Sequence, residues 1–218
     1  MKDLYDGIHV FFNLQPRYSF PYDSKELKNI TDSNGLYILF EQGETYKGLD
    51  RIVRIGSHDS TDRLIKRLRD HFLASKQRKS IVRKHIGRCL LNIAKDKYLE
   101  HWDRPFNKIK DKEKNKDFVD LKYEKEYEEK ITEYIRNNFS FTVIPKIYDQ
   151  DFRDKIEEGL ISILAQSDKK VSSKNWLGNF HPNSIIKNAK IWNIEFVNGQ
   201  QLDLKEFELL VDKINKNK

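Results

Sequence analysis

The chain has almost none of the residues that build covalent or cysteine-based metal scaffolds. Cys89 is the one cysteine among 218 residues. A single thiol cannot form a disulfide within the chain, and it cannot supply a cysteine-based zinc site. The sequence therefore predicts a fold that depends on its hydrophobic core and that resides in a reducing compartment.

Long apolar runs are also missing. No stretch approaches the roughly 20 apolar residues that a transmembrane helix needs. Residues 1–22 lack the cationic lead and the apolar run of a signal peptide. We therefore expect a cytoplasmic protein that does not span a membrane.

The composition that remains is typical of a folded, basic protein. There is no internal repeat and no long Gly/Ser linker, and 218 residues suit one domain. The 13 Phe, 10 Tyr and 3 Trp exclude the composition of a disordered chain. The 41 Lys and Arg exceed the 34 Asp and Glu, and the formal net charge of +7 favours a polyanionic partner, either nucleic acid or an anionic membrane.

The spacing of apolar residues predicts an α+β fold. Core strands are predicted at 35–40, 51–56 and 139–144, and a further strand at 191–197 leads into the hairpin signal Asn198-Gly199. Helices are predicted at 61–72, 80–94, 123–137, 151–166 and 204–214. The result is a small, mostly antiparallel three-stranded core sheet flanked by helices, with a helical insertion and a C-terminal hairpin plus helix.

This order divides the chain, as one domain, into four parts. The core is predicted at 35–94 and 139–166, and it is interrupted by an insertion at 95–138. An N-terminal wrap at 1–34 precedes the core, and a C-terminal extension at 167–218 follows it.

The first core helix carries a row of cationic residues beside its buried stripe. Arg63, Arg67 and His71 follow one another at four-residue intervals, which places them on one face. Their apolar neighbours each lie one residue further along, about 100° round the helix. A solvated surface is the favoured interpretation for Arg63, whereas for Arg67 and His71 a functional role is as favoured as a solvated one.

The helix at 151–166 holds two adjacent acids that differ in phase. Glu157 falls inside the apolar arc, between Leu160 and Ile161, whereas Glu158 falls outside it. A carboxylate on a core-facing arc is costly unless a metal or a cation offsets the cost. We therefore predict Glu157 as the functional acid, with a structural salt bridge as the alternative.

Hydrolysis of a phosphodiester needs a group that activates water, a cation that neutralises the phosphate oxygens, and usually a divalent metal. Tyrosine, arginine, histidine and a lone glutamate can supply these functions. One carboxylate suits a Mg²⁺ ion that keeps several of its waters. Spacing alone does not bring the candidate residues together.

Four short motifs, in order, resemble the GIY-YIG nuclease superfamily. They are Gly35-Leu36-Tyr37, Arg54-Ile55-Gly56, Arg67-Leu-x-x-His71 and Ile156-Glu157-x-x-Leu160-Ile161. Further segments resemble its restriction-endonuclease-like branch, and these are the segments at 51–58, 80–87, 173–178 and 191–193. The resemblance implies hydrolysis of DNA with one Mg²⁺ or Mn²⁺ ion.

The resemblance also implies a role for each matching residue. Tyr37 matches the tyrosine that is proposed to activate the attacking water, and Arg67 matches the arginine that stabilises the transition state. His71 matches a histidine that many members place near that tyrosine. Glu157 matches the single metal-binding glutamate. The implied partner is double-stranded DNA, with no membrane involved.

The chain departs from the family pattern in its second motif. Arg54 stands where the family has a tyrosine, and an arginine can bind phosphate but is a poor general base. Tyr37 is then alone in the tyrosine role, with His58 or His71 assisting. The usual asparagine after the glutamate has two candidates, Asn175 and Asn179, with Ser172 and Ser173 behind them.

A basic stretch after the first core helix is the predicted contact with the DNA backbone, where phosphate contacts give affinity and register. The candidate DNA-binding residues are Arg63, Arg78, Lys79, Arg83, Lys84, His85 and Arg88. For any one of them a solvated surface is the alternative. Trp176 and Trp192 are predicted as anchors of the core or of a loop.

Three functions remain open at this point. One is a site-specific endonuclease of restriction-modification or another defence system, and a second is a structure-directed repair nuclease. The third is a DNA-binding module that keeps the fold without catalysis, which Arg54 favours. Restriction-like members often act as dimers on palindromic sites, so a homodimer is a further expectation.

Overall fold

The computed structural model describes residues 3–21, 34–58, 63–73 and 77–216. Within these residues, no helix has the length and the apolar character that crossing a bilayer requires. The helices are α1 (Leu4–Asn13), α2 (Leu64–Phe72), α3 (Ile81–Ile93), α4 (Ile109–Asn115), α5 (Leu121–Asn138), α6 (Gln150–Gln166), α7 (Ser184–Ala189) and α8 (Leu204–Lys216). The strands are β1 (Tyr18–Ser19), β2 (Gly35–Tyr46), β3 (Leu49–Ser57) and β4 (Phe139–Pro145).

The four strands form one antiparallel sheet in the order β1-β4-β2-β3. The prediction of an α+β fold is confirmed, but the sheet has four strands where three were predicted. The fourth is the two-residue strand β1, which pairs Tyr18 with Phe141 at the edge of the sheet. So short a strand has no alternating run that a sequence pattern can register.

Helices cover both faces of the sheet. Leu36 and Ile38 of β2 belong to the core that α1, α6 and α8 complete, whereas Tyr37 and Leu39 face the core that α2, α3 and α5 complete. Successive residues of a strand point to opposite faces, so β2 is apolar on both of them. Each fully buried side chain of this kind contributes about 1.5–3 kcal/mol to stability.

A tight turn joins β2 to β3. Lys47 and Gly48 connect the pair Tyr46 and Leu49, and both have positive φ angles of 50° and 81°. A two-residue loop with this backbone matches the twist of the flanking strands. Both strands are therefore longer than the runs 35–40 and 51–56 that the apolar pattern predicts.

A β-bulge interrupts the pairing of β2 with β3. Leu39 pairs with Arg54 and Phe40 pairs with Ile52, so Val53 is the extra residue. A bulge changes the side to which the following residues point. Arg54 consequently lies on the same face as Leu39 and Tyr37.

The predicted helices are present with small shifts at their ends. The first core helix is described from Leu64, and its predicted start at 61–62 lies outside the described residues. Ser80 is the N-cap of α3, and its hydroxyl accepts a hydrogen bond from the Arg83 amide. The insertion is helical as predicted, with α4 and α5 inside it.

The predicted C-terminal hairpin is wrong. Residues 191–199 form bends and turns, and the Trp192 amide makes the one backbone hydrogen bond of this segment to β3, at Val53. The side chain of Asn193 bonds both the amide and the carbonyl of Ile55, which replaces the ladder of a strand. Phe196 has a φ angle of 63°, which is incompatible with an extended chain. The C-terminal helix α8 is present.

Candidate functional site

One polar cavity of about 420 Å³ collects residues from five parts of the fold. Strands β2 and β3, helices α2 and α6, and the turn after Asn193 contribute to its wall. The lining residues are Tyr37, Arg54, Gly56, Ser57, His58, Arg67, Asp154, Glu157, Glu195 and Phe196. The structure thus brings five predicted catalytic residues together, and the sixth, His71, lies directly behind Tyr37.

Tyr37 occupies its position because residue 56 has no side chain. Tyr37 of β2 pairs with Gly56 of β3. A Cβ atom on Gly56 would lie 2.3 Å from the phenol ring and its hydroxyl. Gly35, the glycine of the first quoted motif, approaches a different group, because a Cβ on it would meet the Ile144 carbonyl at 1.9 Å. Both glycines allow a close approach within the sheet.

The Tyr37 hydroxyl contacts two nitrogen atoms. His71 Nε2 lies 3.0 Å from it, and Arg54 Nε donates to it at 3.3 Å. The Arg54 guanidinium is fixed by a second bond, from Nη1 to the Trp192 carbonyl at 2.6 Å. Arg54 therefore lies beside Tyr37 and lines the polar cavity. It brings a guanidinium group to the position where the resemblance implied a second tyrosine hydroxyl.

His71 is held from behind by residues outside the cavity. Its Nδ1 lies 2.6 Å from the Ser80 hydroxyl, and Arg83 Nη1 donates to its backbone carbonyl at 3.1 Å. Complete burial lowers the pKa of His71 well below its usual value, and the charges of Arg54 and Arg67 lower it further. His71 is consequently neutral at physiological pH.

Glu157 faces the cavity from the second turn of α6. Its carboxylate accepts hydrogen bonds from the Ser57 amide at 3.1 Å and from the Ser57 hydroxyl. Burial raises the pKa of Glu157 above its usual value, and the bonds from Ser57 and the charge of Arg54 offset part of that rise. Glu158 points elsewhere, since its carboxylate accepts from the Gln200 amide at 3.1 Å. The two adjacent acids are separated as the helical phase predicts.

Arg67 is half-buried and lines the cavity. Its Nη1 donates to the Lys79 carbonyl at 3.4 Å, and its apolar neighbours Leu64 and Leu68 are fully buried. The cationic row beside a buried stripe is therefore present on α2. Arg63, the N-cap residue, is exposed.

Five lining residues were not among the predicted catalytic set, and one of them, Gly56, belongs to the second quoted motif. Ser57 stands inside the quoted segment 51–58, and Asp154 precedes Glu157 by three residues, which places both acids on one helix face. These two had a local signal. Glu195 and Phe196 had none, because their segment was predicted as a strand.

The candidates for the family asparagine lie outside the cavity. Asn179 donates to the Ser173 carbonyl at 2.8 Å and contacts the Ser172 hydroxyl, and Asn175 is exposed. Asn193, two residues before the lining residue Glu195, bonds the backbone amide and carbonyl of Ile55 in β3. Its role in the structure is to attach the turn to the sheet.

The predicted DNA contacts divide into exposed and buried residues, and two of the predictions are wrong. Arg83 is fully buried and pairs with Glu128, while His85 is buried against His181. These two side chains pack inside the protein because α3 turns that face toward α5 and the segment 177–181. A cation inside the core contributes nothing to a surface for phosphate.

The other predicted contacts remain at the surface to different degrees. Arg78 and Arg88 are partly buried in ion pairs with Glu124 and Asp103. Burial lowers the pKa of half-buried Lys84, and the charges of Arg88 and Arg78 lower it further. Arg63 and Lys79 are exposed.

The two predicted tryptophan anchors are confirmed as core residues. Trp176 is 2% exposed and Trp192 is fully buried. Each donates its indole N–H to the same oxygen of buried Glu41, at 2.9 Å. These contacts hold the C-terminal segment to β2 and, through it, position the wall of the cavity.

Comparison with known proteins identifies one family. The family model of the GIY-YIG domain matches residues 8–218 of the chain. No curated protein and no solved structure matches it.

Proposed function

The chain belongs to the GIY-YIG domain family, whose members are generally nucleases, and we propose that it is a metal-dependent DNA endonuclease. One observation carries the proposal. Tyr37, Arg54, Arg67 and Glu157 line a single polar cavity, although they come from different elements. A DNA-binding module without catalysis does not require these four groups to line one cavity.

The state of Glu157 also supports the proposal over a structural salt bridge. No lysine or arginine among the residues with described positions forms an ion pair with Glu157. Its two oxygens accept hydrogen bonds from Ser57, and a carboxylate has about four lone-pair sites, so lone pairs remain free. A partly desolvated carboxylate that faces open space gains from a cation.

The residues present suit one Mg²⁺ or Mn²⁺ ion held by Glu157. The part of the chain with described positions has no group of three or more His, Cys, Asp or Glu that could hold a metal. That agrees with a hard cation that keeps several waters and takes one or two carboxylates. When bound, such an ion supplies charge neutralisation at the phosphate.

Arg54 and Arg67 are assigned to the phosphate. Both guanidinium groups line the cavity, and arginine presents a planar set of donors that matches phosphate oxygens. Their charge is available where negative charge develops in the transition state. Arg54 thus keeps a catalytic role although it stands where the family has a tyrosine.

Tyr37 and His71 are assigned to proton transfer. The Ser80 hydroxyl accepts from the Arg83 amide and can also accept from His71 Nδ1–H, which leaves Nε2 unprotonated toward the Tyr37 hydroxyl. In this tautomer Tyr37 takes a proton from the attacking water and passes its own proton to His71. His58 lines the same cavity and is assigned as the residue that assists Tyr37.

Plasmid cleavage tests the proposal. Purified protein is incubated with supercoiled plasmid in Mg²⁺, in Mn²⁺ and in EDTA. We expect cleavage with either metal and none in EDTA. Glu157→Ala and Arg67→Ala should each reduce the rate by about 100-fold or more, whereas the matched variants Glu158→Ala and Arg69→Ala, which replace residues outside the cavity wall, should cut at the wild-type rate.

The result that contradicts the proposal is also specific. No cleavage under any condition, with salt-sensitive DNA binding retained in wild type and variants, identifies a DNA-binding module without catalysis. Discrete fragments from phage DNA support the site-specific, restriction-like form of the proposal, and cleavage only of branched DNA supports a repair nuclease. Sedimentation tests the proposed homodimer, which predicts that two copies of the protein bind one palindromic duplex.

A further inference from the structure

A second cavity of about 440 Å³ lies between the insertion and the core. We propose that this insertion pocket binds one nucleobase together with its phosphate. Its wall is formed by the 3-10 helix Gln77–Lys79, the segment around Phe106, and helices α4 and α5. The volume is typical of sites for small organic ligands.

One residue that lines the insertion pocket carries a buried polar group with no partner among the described residues. Gln77 is 2% exposed, yet it lines the pocket. Its side-chain Nε2 finds no hydrogen-bond acceptor among the described residues. A buried donor of this kind costs about 1–3 kcal/mol, and that cost is removed when a ligand supplies an acceptor. The edge of a nucleobase carries such acceptors, and glutamine is a residue that reads them.

The wall offers a surface on which a base can stack. Arg78 makes a bidentate ion pair with Glu124 and donates to the Arg104 carbonyl, so its guanidinium plane is fixed. The same guanidinium lies 5.7 Å from the centre of the Phe106 ring. Phe106 and Leu121 add the apolar part of the lining. Every base has a flat π face that stacks on such a ring.

The charge at the pocket fits the phosphate of a nucleotide. Both lining glutamates are neutralised by arginines, Glu124 by Arg78 and Glu128 by Arg83. Two exposed lysines, Lys112 and Lys125, also line the pocket. A lining that combines exposed cations with apolar and amide groups matches a phosphate attached to a base.

The insertion pocket is connected to the polar cavity by one short segment. Gln77 and Arg78 line the pocket, while the next residue, Lys79, accepts the hydrogen bond from Arg67. Ser80 then contacts His71. A nucleotide in the pocket therefore touches the segment that positions two groups of the proposed catalytic site. The link to cleavage rests on the proposed function, but nucleotide binding does not.

The test measures nucleotide binding in EDTA, where no cleavage occurs. The full chain is titrated with each of the four deoxynucleoside monophosphates and followed by calorimetry. We expect saturable binding of at least one nucleotide. Phe106→Ala should weaken it about tenfold or more, as removal of a stacking ring does. Gln77→Leu should reduce the difference in affinity between the four nucleotides. Thermal unfolding checks that both variants are folded.

Matched variants locate the site. Lys112→Ala should weaken binding, whereas Lys110→Ala, on the same helix but outside the pocket lining, should not. Arg69→Ala, at an exposed residue of α2 that lines neither cavity, should also leave binding unchanged. Binding that depends on Arg67 and not on Phe106 overturns the proposal.

A labelled duplex distinguishes the two sources of the nucleotide. If the base comes from a DNA strand, Phe106→Ala weakens binding of the duplex in EDTA. If the ligand is a free nucleotide, duplex affinity is unchanged while monophosphate binding is lost. The absence of any nucleotide binding together with unchanged duplex affinity refutes the pocket. A protein that binds nucleotide but does not cut plasmid refutes only the proposed nuclease function.

Discussion

At the scale of single residues, Gly56 decides where the tyrosine hydroxyl lies. Gly56→Ala places a Cβ 2.3 Å from the Tyr37 ring, and the ring cannot yield easily because it is buried. We expect a loss of about 1–3 kcal/mol in stability and at least about a 100-fold loss in cleavage rate, since a small misplacement of a reacting group is this costly. Urea unfolding and plasmid cleavage measure the two effects.

Gly7 provides the control for this substitution. It lies inside α1, and a Cβ there meets nothing within 4 Å. Gly7→Ala should therefore stabilise the protein by about 0.5–1 kcal/mol and leave cleavage unchanged. Equal cleavage by Gly56→Ala and wild type would show that the position of Tyr37 does not matter for activity.

Glu157 sets the expected acid limit of activity. Burial raises its pKa above the usual value, and the carboxyl must lose its proton to hold a cation. Activity should therefore fall as the pH drops toward a pKa above 4.5, and higher Mg²⁺ should shift that limit to lower pH. Ser57→Ala removes a hydrogen bond that favours the charged form, so its limit should shift to higher pH. Profiles of kcat/KM against pH test both shifts, and a flat profile down to pH 4.5 would exclude this role.

At the scale of secondary-structure elements, the start of α3 serves stability and the site together. Ser80 caps α3 through the Arg83 amide and contacts His71 Nδ1. Ser80→Ala should cost about 1 kcal/mol through the lost cap. It should also lower kcat by about tenfold or more with little change in KM, because it removes the group that orients His71.

An equivalent cap away from the site separates the two effects. Asp203 and Glu206 cap α8 reciprocally, with bonds of 2.9 Å in each direction. Asp203→Ala should lower stability by a similar amount and leave kcat unchanged. A parallel loss of kcat in both variants would mean that Ser80 acts only through stability.

At the scale of the whole molecule, buried histidines make stability depend on pH. His9, His71, His85 and His181 are at most 2% exposed, and burial is the first cause that lowers the pKa of each. The values are about 4 for His9 and His181 and about 2 for His85. In the unfolded chain these groups take up protons below about pH 6.5, whereas the folded chain does not take them up until much lower pH.

The contribution of these histidines to the free energy of unfolding should therefore be fully present above about pH 6.5, and it should be lost as the pH drops below that value. With four such histidines, the free energy of unfolding should decrease by up to about 5 kcal/mol for each pH unit below that value. Burial raises the pKa of Glu41 and Glu128, so these two carboxyls take up protons at a higher pH in the folded chain than in the unfolded chain and oppose this trend. Urea midpoints at pH 7.5 and pH 5.5 test the balance, and an equal midpoint at both values contradicts it.

The sequence by itself determined the elements that have strong local signals. The apolar period of α2 placed Arg67 and His71 beside a buried stripe, and the phase of α6 separated Glu157 from Glu158. The runs around Tyr37 and Ile55 identified two core strands. These predictions succeeded because helix and strand periods depend on residues that are close in the chain.

Only the tertiary structure decided how the site is assembled. The bulge at Val53 turns Arg54 toward Tyr37, and strict alternation in β3 does not reveal a bulge. Burial of Arg83 and His85 was not visible either, because their partners Glu128 and His181 are distant in sequence. The turn that carries Glu195 and Phe196 was predicted as a strand because its apolar residues pack against the core. The side chain of Asn193 attaches this turn to β3 in place of a strand ladder. Local patterns report which face of an element is apolar, whereas contacts between distant segments decide what that face meets.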